Sequence, residues 1–417
     1  MVVPSETPGS GWPPGRANIR SFIGSQIVSM RGESGGVKWK LRKGSTYLPG
    51  YFAIVLILLC HWLVWRWTRD RMPKLVWLLG TSALIGATGM FFELPRGWRY
   101  MPPGEWFFWA RGAAIAWGIC CCGTTLIWAV ARRVTPRFDP GRRRLVLTAQ
   151  AAAVAAPAMV TGFGIVVGRR DLQPVEVAVR VPGLPKDLNG LRIAQLSDIH
   201  YGPFLSRREL ENAVGMANDF RPHLTVVTGD LITRAGDPIE ECLRELSRLR
   251  SASGVWGCLG NHEIYANCEE YVRSEGLRHN LHFLRGQNQK LRFGEARLNL
   301  AGVDYQKMHG DYLRGAEGLQ EAGAWNVLLS HNPDAFRTAA AQGWDLMLAG
   351  HTHGGQVTVE YLHQHLNIAR FFTPYVYGRY EEGGSQLYVT RGIGTVGIPA
   401  RVGAPPEVAL ITLCATS

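Results

Sequence analysis

Four long apolar segments occupy the first part of the chain. They cover residues 47–67, 75–92, 106–131 and 145–168, and short basic stretches separate them. A membrane-spanning helix needs about 20 mainly apolar residues, and each segment is near or above that length. Tryptophans lie at several segment ends, where an aromatic belt would meet the lipid headgroups. The pattern predicts an all-α transmembrane region of about four helices over residues 47–168.

The rest of the chain has a different pattern of apolar and polar residues. Residues 1–46 are rich in glycine, serine, proline and basic residues, so we expect a mobile basic tail. Beyond residue 170, short runs of valine, isoleucine and leucine predict buried strands at 191–197, 223–229, 254–260, 298–303, 325–330 and 344–350. Residues 207–220 and 239–250 have the spacing of amphipathic helices. This alternation indicates a mixed α/β (α+β) domain over residues 171–417.

Net charge also differs between residues 1–170 and the rest of the chain. The chain has a formal charge of +12; residues 1–170 contain 22 Lys and Arg against 6 Asp and Glu, leaving 23 basic and 27 acidic residues beyond. The first part is therefore at +16 and the α/β part at −4. Basic clusters between apolar segments are typical of membrane spans, and the folded part lacks the basic excess of a nucleic-acid-binding domain. We expect the lipid bilayer as a partner, and no nucleic acid.

Polar residues that can bind metal follow five of the six predicted strands. They are Asp198 and His200, Asp230, Asn261 and His262, His331, and His351 with His353. Strand ends at one edge of a sheet are where α/β folds place their sites. In extended backbone, residues separated by one position point to the same face, as Asp198 and His200 would. We therefore expect these side chains to share one polar pocket.

The chemistry of this pocket suits metal ions. It would offer two carboxylates, one carboxamide and at least four imidazoles, which suit zinc, manganese or iron, and it contains no cysteine thiolate. Seven candidate ligands are too many for one tetrahedral ion, but they fit two ions that share a bridging carboxylate. Two such ions convert a water to a nucleophilic hydroxide and stabilise both oxygens of a phosphoryl transfer. The residue types thus indicate a dinuclear centre.

Five motifs carry a resemblance to a known family. They are SDIHYG (197–202), TGDLI (228–232), GNHE (260–263), SHNPD (330–334) and GHTHGGQ (350–356). Together they resemble the calcineurin-like metallophosphoesterases, and LYVTRGIGTVGIPARVGAPPE (387–407) is similar to the bacterial membrane-attached branch. The resemblance covers about residues 175–413. It implies two mixed β-sheets packed as a sandwich with helices outside.

The resemblance also implies a role for each residue of the pocket. One metal would be bound by Asp198, His200 and His353, and the other by Asn261, His331 and His351. Asp230 would bridge the two ions, and His262 would face the phosphate as general acid or transition-state stabiliser without binding metal. Two further expectations come from the residues themselves. Glu263 either orients a ligand imidazole or is a solvated turn residue. Arg401 could meet the substrate phosphate, but we expect a solvated surface arginine.

These features favour a membrane-anchored dimetal phosphohydrolase that uses Mn, Fe or Zn. Its substrate would be a phosphate ester or diester, either a phosphorylated small molecule or a lipid of the cell envelope. One alternative is a cytoplasm-facing pyrophosphatase of a nucleotide-linked lipid precursor. Another is a membrane receptor whose phosphoesterase-like domain binds a ligand without turnover, although an intact His262 and a full ligand set argue against it.

Basic loops predict the side of the catalytic domain. The loop RRVTPRFDPGRRR (132–144) contains six arginines, and short loops this basic stay in the cytoplasm. With four spans, this places residues from 171 onward outside. Basic residues of the tail, such as Lys38 and Lys43, favour the opposite orientation, but we give more weight to the loop because it directly precedes the last span. We expect an integral protein of the bacterial cell membrane with an extracytoplasmic catalytic domain.

Overall fold

The structure is a computed structural model that describes residues 48–70, 73–91, 105–131, 133, 140–306, 312–359 and 366–416. The expected basic tail over residues 1–46 lies outside this set. Helices occur where the four apolar segments predict them: α1 (Leu48–Thr68), α2 (Leu75–Phe91), α3 (Glu105–Ala131) and α4 (Pro140–Val166).

The expectation of four membrane spans is met only in part. Among the described residues, α3 alone contains a stretch that is long and apolar enough to cross a membrane, Trp106–Val130. The apolar stretches of α1 and α2, Phe52–Trp67 and Val76–Phe91, are shorter than the usual span. Only 28% of the α3 stretch is buried within the protein, so it lacks the burial of a core helix. Length and composition thus support one span.

Small residues and polar contacts hold the first helices together. Gly86 of α2 lies against Gly118 of α3, and a Cβ added at Gly118 would meet Ile57 of α1. Small residues let helix backbones approach closely, which is how helices pack when lipid surrounds them. The buried His61 of α1 lies with its Nε2 2.8 Å from Oγ of Ser82 in α2.

The α/β part consists of fourteen strands within the described residues. They are β1 (Gln173–Pro182), β2 (Arg192–Leu196), β3 (Leu224–Thr228), β4 (Val255–Cys258), β5 (Leu281–Phe283), β6 (Gln287–Phe293), β7 (Ala296–Gly302), β8 (Trp325–Leu329), β9 (Leu346–Ala349), β10 (Thr358–Val359), β11 (Leu366–Asn367), β12 (Gly378–Glu382), β13 (Ser385–Val389) and β14 (Glu407–Thr416). Two sheets have six strands each, in the orders β1-β14-β2-β3-β4-β5 and β12-β13-β9-β8-β7-β6. Both combine parallel and antiparallel pairs, which confirms the prediction of two mixed sheets.

Five helices accompany these strands: α5 (Arg207–Asp219), α6 (Ile239–Leu246), α7 (Asn261–Ala266), α8 (Glu269–Arg278) and α9 (Phe336–Gln342). A capping box begins α5, because the Ser206 hydroxyl accepts from N of Glu209 while the Glu209 carboxylate accepts from N of Ser206 at 2.7 Å. This reciprocal pair satisfies two backbone donors that a helix start otherwise leaves free.

Three apolar cores reveal the layers of the α/β part. Between the sheets, Ile193 and Val226 of the first sheet pack in one cluster with Leu348 of the second. The outer face of the first sheet is covered by α5 and α6, which contribute side chains such as Leu210. The outer face of the second sheet is covered by α9, which contributes Phe336. The domain is therefore a sandwich of two sheets with helices outside.

Candidate metal centre

All seven predicted metal ligands follow strand ends and lie at one edge of the sandwich. They are Asp198 and His200 after β2, Asp230 after β3, Asn261 after β4, His331 after β8, and His351 and His353 after β9. Because β2, β3 and β4 run parallel in one sheet and β8 and β9 in the other, the carboxyl ends of each group open to one side.

Asp198, His200 and His353 form one cluster, which we call the first half-site. Nε2 of His200 lies 3.0 Å from Nε2 of His353, and Oδ1 of Asp198 lies 3.4 Å from the same Nε2 of His353. All three side chains are buried. Their ligand atoms lie within 4.8 Å of one another, a spacing that one metal ion can fill.

His331 and His351 lie beside a second position, which we call the second half-site and to which the resemblance also assigns Asn261. The His331 and His351 rings are 5.1 Å apart, and both offer a ligand atom within 4.8 Å of Asp230. Oδ2 of Asp230 lies 3.0 Å from Nε2 of His331 and 3.6 Å from Nε2 of His200. One carboxylate oxygen therefore lies between the two half-sites, where a bridging ligand would have to be.

The backbone of the site is not extended, which corrects the reasoning from residue spacing. Five ligands have positive φ angles: Asp198 (50°), His200 (48°), Asp230 (54°), His351 (75°) and His353 (52°). A non-glycine residue in this left-handed region costs roughly 1–3 kcal/mol, and such strain concentrates at functional sites. The two histidines of the HxH motif consequently diverge, because His353 joins the first half-site and His351 the second.

Two glycines allow the motif loops to approach each other closely. A Cβ at Gly350, just before His351, would collide with Oγ of Ser197 and Oδ2 of Asp198. A Cβ at Gly260, just before Asn261, would collide with Oδ1 of Asp230. Glycine is required where a backbone passes this near a carboxylate. The glycine before each of these ligands thus sets the separation of the loops.

Glu263 fixes the backbone between β3 and α7. Its fully buried carboxylate accepts from N of Asp230 at 3.0 Å, N of Leu231 at 2.8 Å and N of Gly260 at 2.8 Å. The alternative of a solvated turn residue is therefore wrong. None of these bonds is to a ligand imidazole. Glu263 acts on the site by holding the Asp230 backbone in its left-handed conformation.

Hydrogen bonds at Nδ1 orient several site histidines. Nδ1 of His331 lies 2.6 Å from O of Thr228, and Nδ1 of His262 lies 2.5 Å from O of Thr233. A carbonyl oxygen only accepts, so Nδ1 carries the proton in both rings and Nε2 is left for the site. Metal-binding histidines are oriented in this way. Nδ1 of His200 lies 3.1 Å from Oγ1 of the same Thr233.

Three ligand atoms are buried without a hydrogen-bond partner among the described residues: Oδ2 of Asp198, Oδ1 of Asn261 and Nε2 of His331. The last of these is 3.0 Å from Oδ2 of Asp230 but lacks hydrogen-bond geometry. An unsatisfied buried polar atom costs about 1–3 kcal/mol, so native proteins rarely retain one without a function. Oxygen and imidazole nitrogen are ligands of zinc, manganese and iron. The residues therefore fit a pair of divalent ions.

The neighbouring Asp230 carboxylate raises the pKa of His331 to about 10, whereas burial shifts the pKa values of three other site imidazoles in the direction that suits metal binding. Burial lowers the pKa of His351 to about 3 and those of His200 and His353 well below the usual value. These imidazoles are neutral at pH 7, and the neutral form has the lone pair that binds metal. Burial also raises the pKa of Asp198 to about 6. A carboxylate in such surroundings stays ionised most readily beside a cation.

His262 lies at the open side of the site. Its side chain is 16% exposed, and its Nε2 lies 4.0 Å from Oδ2 of Asp230. The ring also packs edge-on against His200, with centroids 4.7 Å apart. Because its ligand atom is within 4.8 Å of those of His200 and Asp230, distance does not separate His262 from the metal ligands. Its role as a non-ligand stays a prediction that metal analysis can test.

Arg401 belongs to the site, contrary to the expectation of a solvated arginine. It is only 1% exposed, and it donates to O of Gly394, O of Ala404 and O of Arg391 at 3.1, 3.1 and 2.8 Å. Its Nη2 also lies 3.4 Å from Nδ1 of His353. The only sequence signal was an arginine inside an apolar, glycine-rich stretch, where a buried guanidinium must bond to backbone carbonyls.

Residues that support the first half-site also contact the preceding helices. Nε1 of Trp109 in α3 donates to O of Pro203 at 2.9 Å, on the loop that continues from His200. Backbone N of Arg401 donates to O of Gly164 in α4 at 3.1 Å. Two supports of one half-site thus touch helices outside the sandwich.

Comparison with known proteins agrees with this geometry. The family model of the calcineurin-like phosphoesterases matches residues 191–355, which include every predicted ligand. The chain is 32% identical to a "Transmembrane protein with metallophosphoesterase domain" from Danio rerio, over 63% of this chain and 62% of that protein. It is 29% identical to the Bos taurus protein of the same description, over 69% of this chain and 67% of that protein.

A bacterial relative matches almost throughout its length. The "Uncharacterized metallophosphoesterase YkuE" of Bacillus subtilis is 26% identical over 66% of this chain and 98% of that protein. By contrast, the chain spans only 62% of the length of the Danio rerio relative. The residues that the family model matches, 191–355, lie within the sandwich domain and include its metal centre.

Proposed function

We propose that the chain, whose residues 191–355 match the family model of the calcineurin-like phosphoesterases, is a membrane-anchored hydrolase of lipid-linked or other envelope phosphate esters or diesters. The observation that carries the proposal is the convergence of six of the predicted oxygen and nitrogen ligands at one edge of the sandwich, beside loops that contact α3 and α4. A receptor that only binds its ligand would not need a proton donor such as His262 at the open side of the site.

The chain's own residues would hold the metals, orient the phosphate and supply a proton. The three ligands of each half-site, together with Asp230, would hold two divalent ions. Such ions supply positive charge that polarises phosphoryl oxygens and makes the attacking water acidic. His262 would protonate the leaving oxygen from Nε2, because its Nδ1 is engaged by O of Thr233. We propose Mn, Fe or Zn, which this ligand set suits.

Exposed apolar side chains support membrane anchoring by all four helices. Phe52 of α1, Trp77 of α2, Leu126 of α3 and Phe163 of α4 are more than half exposed to solvent in the isolated chain. Large contiguous apolar surfaces are rare on soluble monomers and are typical of lipid contact. We propose that α1, α2 and α4 enter the bilayer together with α3.

The direction of α3 and α4 supports an extracytoplasmic catalytic domain. The guanidinium of Arg169, just after α4, lies 4.9 Å from the Trp109 ring of α3, and Sγ of Cys120 lies 2.8 Å from Oγ1 of Thr161. The helices are therefore antiparallel. Ala131, which precedes the basic loop, is 22 residues beyond Trp109, or about 33 Å along the helix. The basic loop and the catalytic domain thus belong to opposite ends of these helices.

Reporter fusions after Ser417 would test this orientation. We expect activity from a reporter enzyme that works only outside the cytoplasm, and no signal from a fluorophore that matures only inside. The reverse pattern would contradict the proposed side and favour the cytoplasm-facing pyrophosphatase.

A metal and substrate panel would test the hydrolase proposal. The full chain, purified in detergent, is stripped with a chelator, reloaded with Mn, Fe or Zn, and assayed on nitrophenyl phosphate mono- and diesters and on lipid phosphates. We expect hydrolysis that depends on added metal and disappears with the chelator. Stoichiometric metal without hydrolysis of any ester would instead favour the receptor.

A further inference from the structure

Two adjacent phenylalanines are exposed on a turn beside the metal centre. Phe371 is 88% exposed and Phe372 is 64% exposed, which makes them the two most exposed large apolar side chains among the described residues 171–416. They end the short helical turn Ile368–Phe371 and follow it. Contiguous apolar side chains on a surface mark an interaction site.

Hydrogen bonds tie this turn to the backbone that follows His353. Nδ2 of the buried Asn367 donates to O of Gly354 at 2.8 Å and to Oγ1 of Thr358 at 2.7 Å. Oγ1 of Thr358 donates in turn to O of Gly354 at 2.8 Å. Oδ1 of Asn367 accepts from N of Ala369 at 2.8 Å and so begins the turn. The phenylalanines are thus held in a defined position near a ligand of the first half-site.

The same segment adjoins the end of α4. Backbone N of Thr358 donates to O of Val402 at 2.8 Å, and Val357 forms a β-bridge with Val402. Gly164 of α4 lies so near the Val402 side chain that an added Cβ would collide with it. The end of α4, the Arg401–Val402 backbone and the segment carrying the turn therefore form a continuous layer.

Apolar and basic side chains extend along this layer. Near its end α4 exposes Phe163 and Val166, and Val357 is exposed between the helix and the turn. Arg170 and Arg370 are exposed next to α4 and within the turn. Aromatic side chains accompanied by arginines are typical of segments that lie at the interface of an anionic membrane.

We propose that Phe371 and Phe372 insert into the lipid leaflet that α3 and α4 enter, so that the metal centre faces a phosphate attached to a lipid. This inference rests on the proposed function, because it requires anchored helices and a centre that hydrolyses phosphate esters. A bilayer is favoured over a protein partner because the exposed patch continues the apolar surface of α4. Phe371 and Phe372 would thereby favour substrates that reside in the membrane.

Fluorescence quenching would test the insertion directly. The full chain carrying Phe371→Trp is reconstituted in phosphatidylcholine vesicles whose acyl chains are brominated near the headgroup, and its fluorescence is compared with that of the wild type. Leu277→Trp is the matched control, because Leu277 is also exposed. It lies on α8, which packs against β5. Strand β5 is one edge of the first sheet, and β1 is the other edge. We expect the added indole to be quenched at position 371 and not at 277. Equal quenching at the two positions would contradict the proposal.

Two substrates that differ only in a lipid tail would test the consequence for specificity. Methyl nitrophenyl phosphate is assayed in solution, and hexadecyl nitrophenyl phosphate is assayed in the vesicles. For Phe371→Ser/Phe372→Ser we expect at least a tenfold loss with the hexadecyl ester and less than a twofold change with the methyl ester, whereas Leu277→Ser changes neither. Equal losses of activity with both esters would mean that the phenylalanines have only a structural role.

The two measurements separate this inference from the proposed function. A wild-type chain that hydrolyses neither of these diesters nor any phosphate ester of the panel above would overturn the proposed function, while quenching would still report on insertion. A further outcome would identify a different occupant of the patch. If Phe371→Ser dissociated a dimer in detergent and Phe371→Trp were not quenched, a second copy of the chain would cover the patch and the inference would be wrong.

Discussion

The two half-sites of the metal centre are supported from different parts of the molecule. In the second half-site, Nδ1 of His331 bonds at 2.6 Å to O of Thr228, the last residue of β3 and fully buried. In the first half-site, His353 packs beside Arg401, whose backbone N bonds to Gly164 of α4. One half-site is therefore held by the interior of the sandwich, and the other by a loop that a neighbouring helix supports.

A second connection strengthens this contrast. Thr233, which lies 3.1 Å from Nδ1 of His200, is followed by Arg234, whose guanidinium lies 3.5 Å from the centroid of the Phe108 ring in α3. Both imidazoles of the first half-site are thus linked to a helix through one or two residues. This difference indicates that α3 and α4 contribute to the geometry of one of the two half-sites.

The largest effect is expected where the half-sites meet. Asp230→Asn removes the negative charge that lies between them, and two nearby cations repel each other without it. We expect loss of most bound metal and at least a thousandfold loss of activity, by analogy with the 10²–10⁴ range for a single catalytic group. Elemental analysis of the purified variant checks this. Two metals per chain in Asp230→Asn would refute the bridging role.

Replacement of His262, at the open side of the metal centre, should lower turnover without removing metal. His262→Ala should retain both metals and lower turnover by about 10²–10⁴-fold, because it removes a proton donor and no ligand. The loss should shrink for nitrophenyl esters, whose leaving group needs no proton. Metal content and turnover are measured on the same preparation. If both metals were lost, His262 would be a ligand.

A change at Arg401 should distinguish the half-sites. Arg401→Gln removes the guanidinium beside His353, and we expect one metal to bind about 10–100-fold more weakly while the other is retained. Metal titration measures the two affinities, and Arg337→Gln at an exposed position is the control. Thermal unfolding of Arg401→Gln and of the milder Arg401→Lys shows whether the fold survives. If a folded variant bound both metals more weakly by the same factor, the proposed difference between the two half-sites would be wrong.

The smallest effect is expected from the helix contact. Trp109→Ala removes the indole bond to Pro203 and the edge contact with Phe204, whose ring centroid is 5.1 Å away. Contacts of this kind contribute about 0.5–1.5 kcal/mol, so we expect a change of about two- to tenfold in the affinity of the same metal that Arg401 supports. Trp77→Ala, at an exposed position of α2, is the control. A change confined to the other metal would contradict the link through α3.

Local patterns in the chain were sufficient for much of the fold. Runs such as 325–330 correspond to strands such as β8 (Trp325–Leu329), because a parallel strand buried on both faces must be apolar throughout. The edge strand β1 and its neighbour β14 were not predicted. They pair with each other over ten residues although most of the domain separates them in the chain, and no local period reveals so distant a partner.

The residues of the metal centre could be identified from their positions in the chain, because each motif follows a strand and strand ends of one sheet share an edge. How these residues meet depends on contacts between distant loops. The left-handed backbone of Asp198 and His353 depends on contacts between loops that are more than 150 residues apart, such as the bond from N of His351 to Oδ1 of Asp198. The burial of Arg401 depends in the same way on carbonyls that fold around it. Residue type is a local property, whereas burial and strained conformation exist only when distant segments enclose a residue.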